Sequence, residues 1–221
     1  MRKEKIIQGE YYHVFNRGNN KQDIFREERD WVRLLFLIIY FQSPVNLRNI
    51  SREVKYFAKH RIFNVQNDLI KEIIESRYVE LVCFTLMPNH FHLILKESKE
   101  NGISRYMQRI LNSYTKYFNV KNELSGHLFQ GPFKMVHIED DPQLLYLSAY
   151  IHRNIKEVKN SKEEEYNFSY SSFQDYLARN RWGELLKTDI IKNQFLDAQK
   201  YKLFVDNSRA KDVQHSVLHI D

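Results

Sequence analysis

The succession of elements along the chain predicts an α+β fold: a ferredoxin-like sandwich, an antiparallel sheet with helices on one face, plus a C-terminal helical extension. Three observations carry that expectation. Two strand-like runs, Tyr78 to Leu86 and His90 to Lys96, are separated only by Met87-Pro88-Asn89 and read as an antiparallel hairpin. Gly102 to Asn122 sets Ile103, Tyr106, Met107, Ile110, Leu111, Tyr114, Tyr117 and Phe118 on one face at helical spacing. A strand and a helix precede the hairpin, and another strand and helix follow the long helix.

Taken in order, Glu10 to Asn16 is aromatic and β-branched and stops at Arg17-Gly18-Asn19-Asn20, a strand running into a turn. Asp30 to Phe41 reads as a largely buried helix. Residues 43–76 have mixed charge and weak periodicity; they read as an insertion, partly helical near Asp68 to Glu75. After the hairpin and the long helix, Gly126 to Pro132 forms a loop and Phe133 to Ile138 a short strand. Asp141-Pro142 then opens a helix, aspartate as the cap and proline at the first position, running to about Lys159 with Leu144, Leu147, Ser148, Ile151, Ile155 and Val158 as its buried stripe. A charged linker, Asn160 to Tyr166, leads to short helices and a polar tail. The domain therefore spans residues 1–173, with a helical extension and tail over 174–221.

Composition narrows the function. Hydrophobic residues make up 43% of 221, enough for a full core, and charged residues 28%. The formal net charge of +6 favours a polyanionic partner. A single cysteine, Cys83, excludes a disulfide framework within the chain and reads as a small buried hydrophobe. Leu34 to Phe41, the longest apolar stretch, is too short to span a bilayer, and Met1 to Lys5 is followed by no signal-like apolar core. A soluble cytoplasmic protein with no membrane partner is expected.

The chemistry concentrates in two places. In His90-Phe91-His92, strand alternation points both imidazoles to one face, where they can share a divalent ion, and Phe91 to the other. On the helix from Pro142, Tyr150 and Asn154 lie one turn apart and reach the same point in space. A tyrosine acting as nucleophile needs a nearby cation or base, because its free pKa is about 10.

These segments carry a resemblance. Met87-Pro88-Asn89-His90-Phe91-His92-Leu93-Ile94-Leu95 resembles the His-hydrophobic-His motif of single-tyrosine HUH transposases, and more closely that of the REP-associated tyrosine transposases. His13-Val14-Phe15-Asn16-Arg17-Gly18-Asn19 resembles the family's first strand and turn. Ser125-Gly126-His127-Leu128-Phe129-Gln130-Gly131 resembles its loop before the fourth strand. Ala149-Tyr150-Ile151-His152-Arg153-Asn154 resembles its nucleophile helix, and Phe168-Ser169-Tyr170-Ser171-Ser172-Phe173 a further segment.

The resemblance implies that His90, His92 and Asn154 hold a divalent metal, Mg²⁺ or Mn²⁺. It implies that Tyr150 attacks a phosphate of single-stranded DNA near a hairpin, leaving a 5′-phosphotyrosine and a free 3′-hydroxyl. Relatives include monomers and also homodimers that set the tyrosine of one chain near the histidines of the other. Two positions depart from the pattern. Ile155 replaces a frequent proline, which should let the helix continue unkinked. Pro132 replaces a frequent basic residue, removing one phosphate contact.

Arg17, Arg105, Arg109, Lys116 and Lys134 are the candidate DNA contacts, and Phe129 and Phe133 are core residues able to stack on bases. Two other readings remain open: a hairpin-binding protein that has lost catalysis, and a metal nuclease using water. Tyr146, one turn before Tyr150, is the rival nucleophile.

Overall fold

Four strands, β1 (Tyr11–Arg17), β2 (Val79–Met87), β3 (His90–Glu97) and β4 (Lys134–Ile138), pair in the order β2-β3-β1-β4, every pair antiparallel. Two crossovers give this order: one through α1 (Glu28–Tyr40), the other through α4 (Gly102–Asn122). That is the ferredoxin-like topology. The computed structural model describes residues 6–157 and 167–208; Val158, Lys159, the linker 160–166 and the tail from 209 lie outside the described residues.

Alternation along the strands builds two cores. Tyr12 and Val14 of β1, Phe84 and Leu86 of β2, and Phe91, Leu93 and Leu95 of β3 pack under α1 and α4. The opposite face carries Val82, Cys83 and Ile94, buried beneath α5 (Asp141–Arg153) and the extension. A bulge between Leu81 and Cys83 sends both Val82 and Cys83 to this second face. The two crossover helices thus cover one face as expected, and α5 with the C-terminal helices closes the other.

α1 starts at a capping box in which Glu27 and Asp30 each bond the other's backbone N–H. Asp30 is fully buried, bonded by Lys121 at 2.6 Å and by the Tyr117 hydroxyl at 2.9 Å, which ties α1 to α4. α4 begins on the buried Glu97 carboxylate, which accepts the N–H groups of Gly102 (2.9 Å) and Ile103 (2.7 Å).

The segment 43–76 holds two helices, α2 (Ile50–His60) and α3 (Asn67–Ser76), where one was expected. Asn49 and Arg61 bound α2 in left-handed conformation, and only Glu53, Val54 and Phe57 are buried along it. A stripe that narrow leaves little periodicity to read.

The cap of α5 is Asp140, one residue before the expected Asp141, accepting from Gln143 N at 2.7 Å. Its α-helical bonding stops at Arg153, and residues Asn154–Glu157 tighten into a 3₁₀ turn. The helix does not simply continue, although proline is absent. The Asn154 side chain donates back to Tyr150 O at 3.2 Å, a local bond that competes at a helix end.

Just before the extension, Tyr170 and Ser172 bond along the outer edge of β2, to Leu86 N and Phe84 O (both 2.9 Å). They cover an edge that would otherwise expose a row of backbone groups. Helices α6 (Phe173–Leu177), α7 (Asp189–Lys192) and α8 (Ala198–Asn207) follow. Among the described residues no helix is long and apolar enough to cross a membrane.

Candidate active site

The β1 and β2–β3 turns are stapled to each other. Gly18 N donates to Asn89 O at 2.7 Å, Ile24 N to Pro88 O at 2.9 Å, and Asn89 Nδ2 to Lys21 O at 3.0 Å. Gly18 is required by closeness: a Cβ there would lie 2.1 Å from Gln22 O. This junction fixes where β3 begins, at His90.

Register then places Arg17 opposite His90, and Phe15 opposite both His92 and Lys134. All five side chains share the face covered by α5. His90 and His92 stand with ring centroids 5.0 Å apart and planes at 87°. His90 Nδ1 is 2.7 Å from Asn89 Oδ1. An amide oxygen only accepts, so Nδ1 carries the proton and Nε2 is the nitrogen that bears the ring's lone pair.

Tyr150, only 6% exposed, meets His92 and His13 edge-on, its ring centroid 5.6 Å from that of His92 and 6.4 Å from that of His13. Tyr146 is 49% exposed and packs on Phe204 at 5.6 Å, on the outer side of α5. Asn154 is buried, one turn from Tyr150, with its Nδ2 committed to Tyr150 O.

His13 is the residue sequence reasoning passed over. It is wholly buried, and its Nε2 lies 2.9 Å from His92 Nδ1. Its position two residues before Phe15 was visible, but the register that brings it against β3 is tertiary. Burial drives the His13 pKa down to about 3. His92 is driven well below its ordinary value too, first by burial and then by the neighbouring His13 and His90. Both imidazoles are neutral at physiological pH, and a neutral imidazole is the form that ligates a metal. Two imidazoles and a nearby amide, with no thiolate among them, fit a divalent ion held by N and O donors. Cys83 lies elsewhere, its thiol pushed up by burial and 3.2 Å from His152 Nε2.

The basic candidates divide. Arg17 and Lys134 lie on the histidine face, and Arg17 Nε is buried without a hydrogen-bond partner. Arg105 and Lys116 are exposed on α4, across the sheet. Arg109 is pinned inward: it bonds Ser43 O and Val45 O (3.0 Å to the latter) and lies 4.6 Å over the Phe41 ring. Phe129 is core and Phe133 packs partly buried beside it. Both border a groove of about 440 Å³ that also presents Gln108, Asn112 and His127. The groove adjoins the end of β1, where Gln130 N bonds Arg17 O at 2.8 Å.

Comparison with known proteins agrees with this architecture. A solved structure of a REP-associated tyrosine transposase bound to a REP hairpin shares the fold: the TM-score is 0.51 at 16% identity, over 86% of this chain and 92% of that one. Tyrosine decarboxylase 2 of Arabidopsis thaliana is 33% identical over 92 residues. That match covers 42% of this chain but only 16% of the enzyme, too small a part to carry its activity across. Residues 46–154 match the family model described as transposase IS200-like, a stretch containing His90, His92, Tyr150 and Asn154. Family match and shared fold agree: residues 46–154 are similar to the IS200-like transposases, and the chain shares the fold of the REP-associated one.

Proposed function

We propose that this protein is a transposase, a metal-dependent enzyme that cleaves and rejoins single-stranded DNA near hairpins, with Tyr150 as the nucleophile. The observation that carries the reading is Tyr150 set edge-on against His92, within one chain, on the face where His90 and His92 project. The Tyr150 phenol oxygen attacks phosphorus and gives up its proton. The bond from phosphorus to the 3′ oxygen breaks, and that oxygen leaves as a 3′-hydroxyl. Tyr150 then holds the 5′ phosphate, and attack by another 3′-hydroxyl reverses the exchange. Bond energy is kept throughout, so rejoining needs no nucleotide.

His90, His92 and Asn154 would hold the divalent ion, Mg²⁺ or Mn²⁺, whose charge offsets that developing on the phosphate. Arg17, with its unpartnered Nε beside His90, supplies a second positive group on the same face. Lys134 extends that positive surface, and Arg105 and Lys116 would follow the strand across α4. The groove by Phe129 and Phe133 offers apolar ring surface and the amides of Gln108 and Asn112, a combination suited to an unpaired base. The proposal places the protein in the cytoplasm, where its DNA is.

The test uses labelled single-stranded hairpin oligonucleotides with Mn²⁺ or with EDTA, scanned on denaturing gels for a protein–DNA adduct. The adduct should need the metal, vanish in Tyr150→Phe and His90→Ala, and persist in Tyr146→Phe. Cleavage by Tyr150→Phe without an adduct would establish water as the nucleophile instead. Tight hairpin binding with no adduct would leave a DNA-binding protein that has lost the chemistry.

A further inference from the structure

We infer that His13 is a positioning residue for the histidine pair, holding His92 at Nδ1 so that Nε2 is the nitrogen it offers to a divalent ion. The inference rests on the metal-dependent reading above, but its first observable does not require metal.

His13 is completely buried, and its ring is stacked on Phe15 (centroids 4.9 Å, planes at 26°) and on His92 (5.1 Å, 19°). A leucine or phenylalanine would fill such a place without burying polar atoms. The imidazole instead makes one hydrogen bond, Nε2 to His92 Nδ1 at 2.9 Å, and leaves its own Nδ1 buried with no partner. That single bond is what the side chain adds beyond packing.

Its direction follows from the use of His92. Presenting the Nε2 lone pair requires the His92 proton on Nδ1, so His92 donates and His13 Nε2 accepts. His13 must then carry its proton on the orphaned Nδ1. His90 has the matching arrangement, its Nδ1 held by the Asn89 side chain at 2.7 Å. Both strand histidines are therefore gripped at Nδ1 by a neighbour, one an amide and the other an imidazole. His13 is not itself a third ligand: its Nε2 is used on His92, and among the described residues no group of three His, Cys, Asp or Glu could hold a metal ion. Partners of this kind orient a ligand ring and fix its tautomer.

The test is nitrogen-15 NMR of the histidine rings in the full-length, metal-free protein, followed by Mn²⁺ titration calorimetry. In the unsubstituted protein His92 should be the Nδ1–H tautomer; finding it protonated at Nε2 overturns the proposal with no variant needed. His13→Leu should release His92 to a mixture of tautomers and weaken Mn²⁺ binding by about 10- to 100-fold. His13→Gln, whose amide oxygen can accept from His92 Nδ1, should restore both. A His92 tautomer and Mn²⁺ affinity unchanged in a folded His13→Leu protein would overturn the inference. Failure of the unsubstituted protein to bind Mn²⁺ would sink the metal reading, and with it the role of His92 Nε2; the tautomer result would still decide whether His13 orients His92.

Discussion

Replacing Gly18 by alanine tests whether the stapled turns set the geometry of the site. The added Cβ would lie 2.1 Å from Gln22 O and 3.0 Å from Ile24 Cγ2, and the first is backbone that cannot rotate away. Relieving it requires a displacement of about 1 Å, a steric conflict of the kind that costs about 1–3 kcal/mol. The same movement pulls on the 2.7 Å bond from Gly18 N to Asn89 O, and Asn89 immediately precedes His90. For a chain of this size each kcal/mol lowers Tm by about 2–4 °C, so the expected loss is about 2–12 °C. A shift of about 1 Å in positioned reacting groups costs on the order of 100-fold in rate. Adduct formation by Tyr150 should therefore fall far more than the loss of folded protein explains. The assay pairs a thermal melt with single-turnover adduct formation at a temperature where both proteins are folded. A Gly18→Ala protein with unchanged Tm and an adduct rate within about twofold of the parent would refute the reasoning, because the turn would then be shown to absorb the Cβ without moving β3.

Other expectations follow from individual contacts. Glu97→Ala leaves the N–H groups of Gly102 and Ile103 buried without their acceptor, and urea unfolding should show a loss of about 1–3 kcal/mol. Arg17→Ala should weaken hairpin binding and lower the slope of log affinity against log salt by about 1, the release of one phosphate contact. Arg109→Ala should instead lower stability, measured by thermal melting, with the salt slope unchanged, because its guanidinium is used on Ser43, Val45 and Phe41. For pH, burial lowers the pKa of His13 and His152 to about 3, so below the ordinary value of 6.5 the unfolded chain takes up protons that the folded chain refuses. Their contribution is complete above about pH 6.5 and is lost on acidification, by up to about 1.4 kcal/mol per pH unit for each histidine. Urea midpoints of the metal-free protein that stay flat from about pH 6 to pH 4 would contradict this burial argument.

Much of the fold was written in local pattern. The hairpin around Pro88 and the long helix from Gly102 end close to where turn residues and apolar spacing put them, because those signals act over a few neighbouring residues. The pairing of His90 with His92 on one face follows from strand alternation alone. Where a signal was weak or shared, reading it locally fell short. The narrow buried stripe of α2 hid a helix, and two adjacent aspartates, Asp140 and Asp141, competed for one cap until the bond to Gln143 N decided it. On α5 the absent proline suggested a longer helix, but the Asn154 side chain bonded Tyr150 O and the chain tightened.

The sequence by itself determined which residues the proposed chemistry is built on: two imidazoles in alternation on a strand, and a tyrosine and an amide one turn apart on a helix. Only the tertiary structure decided how they meet. Strand register is long-range, so the partnership of His13 with His92 across 79 positions left no local trace. The same holds for the basic residues, since charge in a sequence carries no direction. Folding turned Arg109 inward onto carbonyls near Phe41, set Arg105 and Lys116 across the sheet, and left Arg17 and Lys134 beside the histidines.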